Sequence, residues 1–136
     1  MPLPALTDIL DEYEFLEADD RYRLLIELGR ALEAMPEALK TEATLVRGCS
    51  ASVWIYPTLL DGRLHFLSDS NAAITKGIIA LVLMTVQDRT PREVTATDID
   101  DALLPFELSR QLSSNRTQGI PNMIALIKST AARYLV

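Results

Sequence analysis

Reactive side chains are scarce in this chain, which has one cysteine and one histidine. The cysteine, Cys49, lies in Val46-Arg47-Gly48-Cys49-Ser50-Ala51-Ser52. A free cysteine is most often a small buried hydrophobe. Here small and polar residues surround it, and Gly48 permits a tight turn that presents the side chain after it. The thiolate is the reactive form of the side chain, and nearby positive charge favours it. Arg47 supplies one such charge. The start of a helix supplies about half of another, provided that it lies near the loop. Cys49 is therefore expected to ionise below the free-thiol value of about 8.5.

Several familiar cysteine chemistries fail on spacing. A Cys–His dyad needs hydrogen-bond reach. If Asp61-Gly62 closes a hairpin, His65 faces Thr58 near the turn, roughly 20 Å of strand away from Cys49. His65 is then expected to be a solvated strand residue. A cysteine phosphatase requires an arginine six residues after the cysteine, where Ile55 stands. A C-x-x-C redox pair is absent because Ser52 holds the second place. A structural zinc site cannot be built from one cysteine and one histidine without carboxylates. The chemistry left is exchange at sulfur, in which a thiolate attacks a disulfide or persulfide with little other help.

The elements that must position this loop can be read from periodicity and turn signals. Thr7 or Asp8 is expected to cap a helix running through Phe15. Asp19 and Asp20 precede a second helix with Leu24, Leu25, Leu28 and Leu32 on one stripe, loosened or ended by Gly29. Pro36 suits the first turn of a short third helix. Ala43 to Val46 reads as a short strand. Ser52 to Leu59 and Arg63 to Ser68 read as a hairpin closed by Asp61-Gly62, with an edge near Pro57. In that register Trp54 faces Asp69 and Ser52 faces Asn71. The apolar segment Ala72 to Val86, capped by Asp69 or Ser70, is expected to be a buried helix near the cysteine loop. Thr90-Pro91-Arg92-Glu93 and Thr97 to Asp100 are helix starts. Ser113 to Thr117 reads as a polar loop, before a last helix with Ile120, Met123, Ile124 and Ile127 at helical spacing. The expected fold is α+β, with a small three-stranded antiparallel sheet packed against several helices, in one domain over residues 1–136.

Composition bounds the rest. The chain has 136 residues, 49% of them apolar and 24% charged, a globular balance. Its net charge of −6 argues against nucleic acid and against an anionic membrane surface as partners. A lone cysteine excludes an internal disulfide scaffold. The first 20 residues carry seven carboxylates and no basic residue, unlike a signal peptide. The most apolar run, Ile78 to Met84, is far below the ~20 residues of a membrane span. A cytoplasmic protein is expected.

Four segments together resemble the SufE family of sulfur-acceptor proteins, which includes CsdE: Arg23 to Arg30, Val46 to Trp54, Phe66 to Leu81 and Leu112 to Met123. They stand in the family's order and spacing along nearly the whole chain. The resemblance implies a SufE/IscU-like fold and a role in iron–sulfur cluster assembly. Such a protein takes sulfane sulfur from the persulfide of a pyridoxal-phosphate cysteine desulfurase of the SufS or CsdA kind, stimulates that enzyme, and passes sulfur to a SufBCD-type scaffold. It is an accessory protein rather than an enzyme, and it carries no cofactor of its own. By position, Cys49 corresponds to the persulfide-forming cysteine. Arg116 and Arg47 are candidate electrostatic helpers for the anionic sulfur. Ala51, Thr44-Leu45 and Thr117-Gln118 depart from the family's usual residues.

Other residues have plainer readings. Asp69 and Ser70 read first as helix caps, Trp54 as core or loop support, and Lys76 as a solvated helix residue. The acidic N-terminal stretch reads as a solvated face. The expected assembly is a monomer or weak homodimer. The competing function is a single-cysteine redox protein or sensor with its resolving thiol in trans.

Overall fold

The computed structural model describes residues 5–48, 51–108 and 119–135. Cys49 and Arg116 lie outside the described residues, as does the polar stretch Ser113 to Thr117.

Two amphipathic helices open the chain. Helix α1 (Leu6–Glu14) buries Ile9 and Tyr13, one turn apart. It starts from Ala5 with no side-chain cap, so neither Thr7 nor Asp8 caps it. Helix α2 (Ala18–Arg30) carries Asp19 and Asp20 in its first turn and Arg30 in its last, each the charge that the helix dipole favours there. It buries Leu24, Leu25 and Leu28. Leu32 follows the helix end and is partly buried. Gly29 lies inside this helix rather than ending it. Its role is close approach: a Cβ on Gly29 would lie 2.8 Å from the backbone nitrogen of Gly77, and one on Gly77 would collide with the Leu25 carbonyl oxygen.

Gly77 belongs to α3 (Ala73–Val86), the apolar central helix, which is buried almost all round. Its N-cap, Ala72, has no side chain that can cap, and Ser70 Oγ accepts from the Ala72 N–H at 3.2 Å. Asp69 is held elsewhere. The Thr75 hydroxyl is buried in this helix with no hydrogen-bond partner among the described residues. Helix α4 (Pro91–Ala96) begins with a complete capping box between Thr90 and Glu93, as the Thr-Pro-Arg-Glu spacing predicts. Asp98 caps α5 (Ile99–Leu103). Helix α6 (Gly119–Arg133) buries Ile120, Met123, Ile124 and Ile127. Its Lys128 ammonium donates to the Val94, Thr95 and Thr97 carbonyls, tying α6 to the end of α4. A short 3-10 turn (Leu104–Phe106) docks on α1, where the buried Tyr13 hydroxyl donates to the Phe106 carbonyl at 2.7 Å.

The sheet has two strands, β1 (Val53–Leu60) and β2 (Arg63–Ser70), antiparallel. Asp61 and Gly62 both have positive φ, as a two-residue turn of matching twist requires. The register is the expected one, with Thr58 opposite His65 and Trp54 opposite Asp69. The third strand expected at Ala43 to Val46 is corrected to a single bridge between Leu45 and Trp54. That segment leaves a turn in which Thr44 Oγ1 donates to the Leu39 carbonyl, and it re-enters a turn at Gly48, where φ is +90°. Among the described residues two hydrogen bonds join it to β1: Ile55 N–H to the Thr44 carbonyl and Val46 N–H to the Val53 carbonyl.

The other sheet edge is closed by the chain after α3. The Gln87 side-chain amide donates to the Phe66 carbonyl and accepts from its N–H, both at 2.8 Å, in place of a neighbouring strand. Phe66 therefore turns its backbone away from β1, and its partner Pro57 needs no N–H toward β2. Among the described residues no helix is long and apolar enough to cross a membrane.

Candidate functional site

The segment around Cys49 is framed by two stems. Val46 anchors the first through its bond to Val53 at 2.8 Å. Arg47 and Gly48 then stand exposed, and the Arg47 carbonyl accepts from Asn122 Nδ2 at 2.8 Å. Gly48 is required there on two counts. Its φ of +90° is costly for any residue with a Cβ, and a Cβ would collide with the Asn122 amide nitrogen. The second stem is held by Asn71, just before α3. Its Oδ1 accepts from the Ser52 N–H at 3.1 Å, and its own N–H donates to the Ser52 carbonyl at 3.3 Å. The hairpin register thus brings the start of the apolar helix to the end of the cysteine segment, as the sequence predicts.

One side of the frame is a charged cluster. Asp69 pairs with Lys40 at 2.6 Å and with Lys76 at 3.3 Å. Lys40 also pairs with Glu37 at 2.8 Å and lies over the Trp54 ring, 5.7 Å from its centroid. Partial burial alone would raise the Asp69 pKa. The Lys40 hydrogen bond, helped by the Ser70 N–H and by Lys76, outweighs it and holds the carboxyl below its ordinary range. The hydrogen bond that Lys40 donates to Asp69, followed by the one it donates to Glu37, holds its ammonium above its ordinary value. Ser68 Oγ donates to the Trp54 carbonyl at 2.6 Å, fixing the strand beneath the ring. Trp54 is the support expected of it. Asp69 is an ion-pair hub rather than a cap, and Lys76 is one of its partners rather than a solvated residue.

His65 is no solvated strand residue either. Nδ1 contacts Asp88 Oδ1 at 2.6 Å and Nε2 contacts Glu33 Oε1 at 2.9 Å, so both ring nitrogens are engaged. Burial lowers its pKa, and the hydrogen bonds to Asp88 and Glu33 overcome this to raise it. The imidazole therefore ties β2 to the chain after α2 and the chain after α3. It pairs with Thr58, toward the turn end of the hairpin, while the Cys49 stems meet the opposite end at Ser52 and Val53.

Of the three predicted site residues, Arg47 is described: it is exposed, and among the described residues no carboxylate pairs with it. Sequence reasoning missed Lys40 and Asn122. Lys40 sits nine residues before Cys49, with no spacing that marks it. Asn122 is a polar residue in the first turn of an otherwise apolar-striped helix, which is the only signal it gives. Among the described residues no group of His, Cys, Asp and Glu could hold a metal ion.

Comparison with known proteins bears on the family and the fold. The family model described as SufE, an Fe-S metabolism associated domain, matches residues 7–131. An uncharacterised SufE-like protein of Rhizobium meliloti is 37% identical over 134 residues, covering 95% of this chain and 96% of the relative. Another from Rhizobium etli is 34% identical over 135 residues, covering 95% and 90%. The fold is shared with the solution structure of a hypothetical protein from Thermus thermophilus, at a TM-score of 0.77 and 16% identity over 99% of this chain and 98% of that one. A family match over residues 7–131, with relatives at 34–37% identity along nearly the whole chain, places this protein in the SufE family, associated with iron–sulfur metabolism.

Proposed function

We propose that this chain is a sulfur carrier of the cytoplasm that accepts sulfane sulfur on Cys49 from a cysteine desulfurase, stimulates that enzyme, and hands the sulfur to an iron–sulfur scaffold of the SufBCD kind. The observation that carries the reading is the position of the lone cysteine within the family match, on a segment whose two stems are each held by an asparagine. The step is exchange at sulfur. The Cys49 thiolate attacks the terminal sulfur of the desulfurase persulfide. A new S–S bond forms on Cys49, the S–S bond in the desulfurase breaks, and the electron pair leaves with the desulfurase thiolate. No net oxidation occurs, so the carrier needs no redox cofactor, and pyridoxal phosphate belongs to the partner.

Arg47 and Arg116 are the cations proposed to favour the thiolate and then the persulfide anion. The exposure of Arg47, one residue from Gly48, supports its part. Intact mass after incubation with a cysteine desulfurase and cysteine tests the whole reading. A gain of one sulfur, about 32 Da, is expected on the parent and is absent in Cys49→Ser. A parent that gains no mass, or a Cys49→Ser variant that still delivers sulfur, overturns it. Fast consumption of peroxide by Cys49 without any sulfur gain would point instead to a thiol redox protein.

A further inference from the structure

We infer that the cleft between β1 and α6 is a binding site for a short apolar monocarboxylate, independent of the sulfur-carrier reading. Ile55, Pro57 and Phe66 form its sheet wall, and Leu126 and Ile127 its helix wall. Ile55, Phe66 and Ile127 belong to the core, so the walls are set by the fold rather than by loose surface side chains. The cavity measures about 110 Å³. An apolar cavity of about 150 Å³ takes benzene, so this one suits a branched chain of about four or five carbons.

The polar lining is Thr130 and Arg133, one turn apart at the end of α6. The Arg133 guanidinium donates to Thr130 Oγ1 at 3.2 Å, which holds it against the cleft. Thr130 is buried, and its own hydroxyl hydrogen has no acceptor among the described residues. Arg133 is exposed, and among the described residues no carboxylate pairs with it. A guanidinium presents its donors as a planar fork that matches a carboxylate, and a hydroxyl with a free hydrogen adds another donor. No carboxylate lines the cleft to repel an anion, although the chain as a whole is acidic. The guanidinium also offsets the negative end of the α6 dipole, which would otherwise disfavour an anion there.

A free small molecule fits better than an extended peptide. The Ile55 N–H is already given to the Thr44 carbonyl, and Pro57 has no N–H. Beside the cleft, β1 therefore offers a passing strand no backbone donor.

Isovalerate is the probe, titrated into the full chain at constant ionic strength and followed by the amide NMR signals of Ile55, Phe66, Ile127 and Thr130. Saturable shifts at these residues are expected, with a dissociation constant on the order of 1 mM for so small a ligand. Isovaleramide keeps the shape and loses the charge, and acetate keeps the charge and loses the apolar body. Each is expected to bind at least about fivefold more weakly. Arg133→Gln, at an exposed position, is expected to weaken isovalerate about fivefold and to leave the melting temperature unchanged. No saturable shift by about 20 mM overturns the site. Equal binding of isovaleramide, or a constant within about twofold of the parent in Arg133→Gln, overturns the carboxylate as the recognised group. Equal binding of acetate reduces the site to a surface anion contact and overturns the apolar cleft as its basis.

Discussion

At the scale of single residues, the histidine is the clearest case of tertiary structure overriding sequence. In the strand pattern His65 is one polar residue facing Thr58. In the fold it bridges Asp88 and Glu33, from two different chain segments. Its pKa is raised above the ordinary 6.5, so the folded state binds the proton more tightly than the unfolded chain does. The stabilisation is fully present below the unfolded value and is lost as pH rises through the folded one. Chemical denaturation across about pH 5–9 is therefore expected to show stability falling above about pH 6.5, with His65→Gln removing that slope. A variant that keeps the same slope would assign it to another group. Asp69 shows the complementary sign. Its lowered pKa makes the Lys40 and Lys76 pairs a source of stability that is lost only in acid. Neither partner of Asp69 was legible locally. Lys40 precedes it by 29 residues and meets it only through the hairpin, and nothing in the helical pattern around Lys76 marks a carboxylate beside it.

At the scale of elements, periodicity and turn chemistry carried most of what was legible. The hairpin register followed from Asp61-Gly62, since a two-residue turn leaves no freedom in the pairing. The capping box at Thr90 and the buried faces of α2, α3 and α6 followed from spacing alone. Two readings failed because local preference gave way to the neighbours. Gly29, a helix breaker by propensity, is a contact residue where α2 crosses α3. Ala43 to Val46, a strand by composition, lacks room for a strand between two turns. The helix crossing yields a test. Gly77→Ala places a methyl group against the Leu25 backbone, which cannot move without parting the helices. A loss of about 1–3 kcal/mol is expected, read as a melting temperature lower by at least about 4 °C. An unchanged melting temperature would mean that the two helices separate freely.

At the scale of the whole molecule, one hydrophobic cluster joins residues from Ile9 in α1 to Ala131 in α6, with α3 at its centre. A core continuous from α1 through α6 predicts a single cooperative unfolding transition. Far-ultraviolet circular dichroism and Trp54 fluorescence should therefore report the same midpoint. Trp54 lies beside the Cys49 stems, so its fluorescence would melt first if the functional end were an independent unit. The net charge of −6 also belongs to this scale. It bears on which partners are attracted and says nothing of the fold.

The sequence by itself determined the family, the α+β class, the hairpin register and the presence of a single thiol. Each of these is written in local signals: side-chain period, turn dipeptides, and the presence or absence of a reactive group. Only the tertiary structure decided that the sheet has two strands, that Lys40 and Lys76 share Asp69, that His65 joins two carboxylates, and that Asn122 holds the chain before Cys49. Those outcomes depend on side chains up to 75 residues apart meeting across packed helices, and no local pattern encodes such a distance.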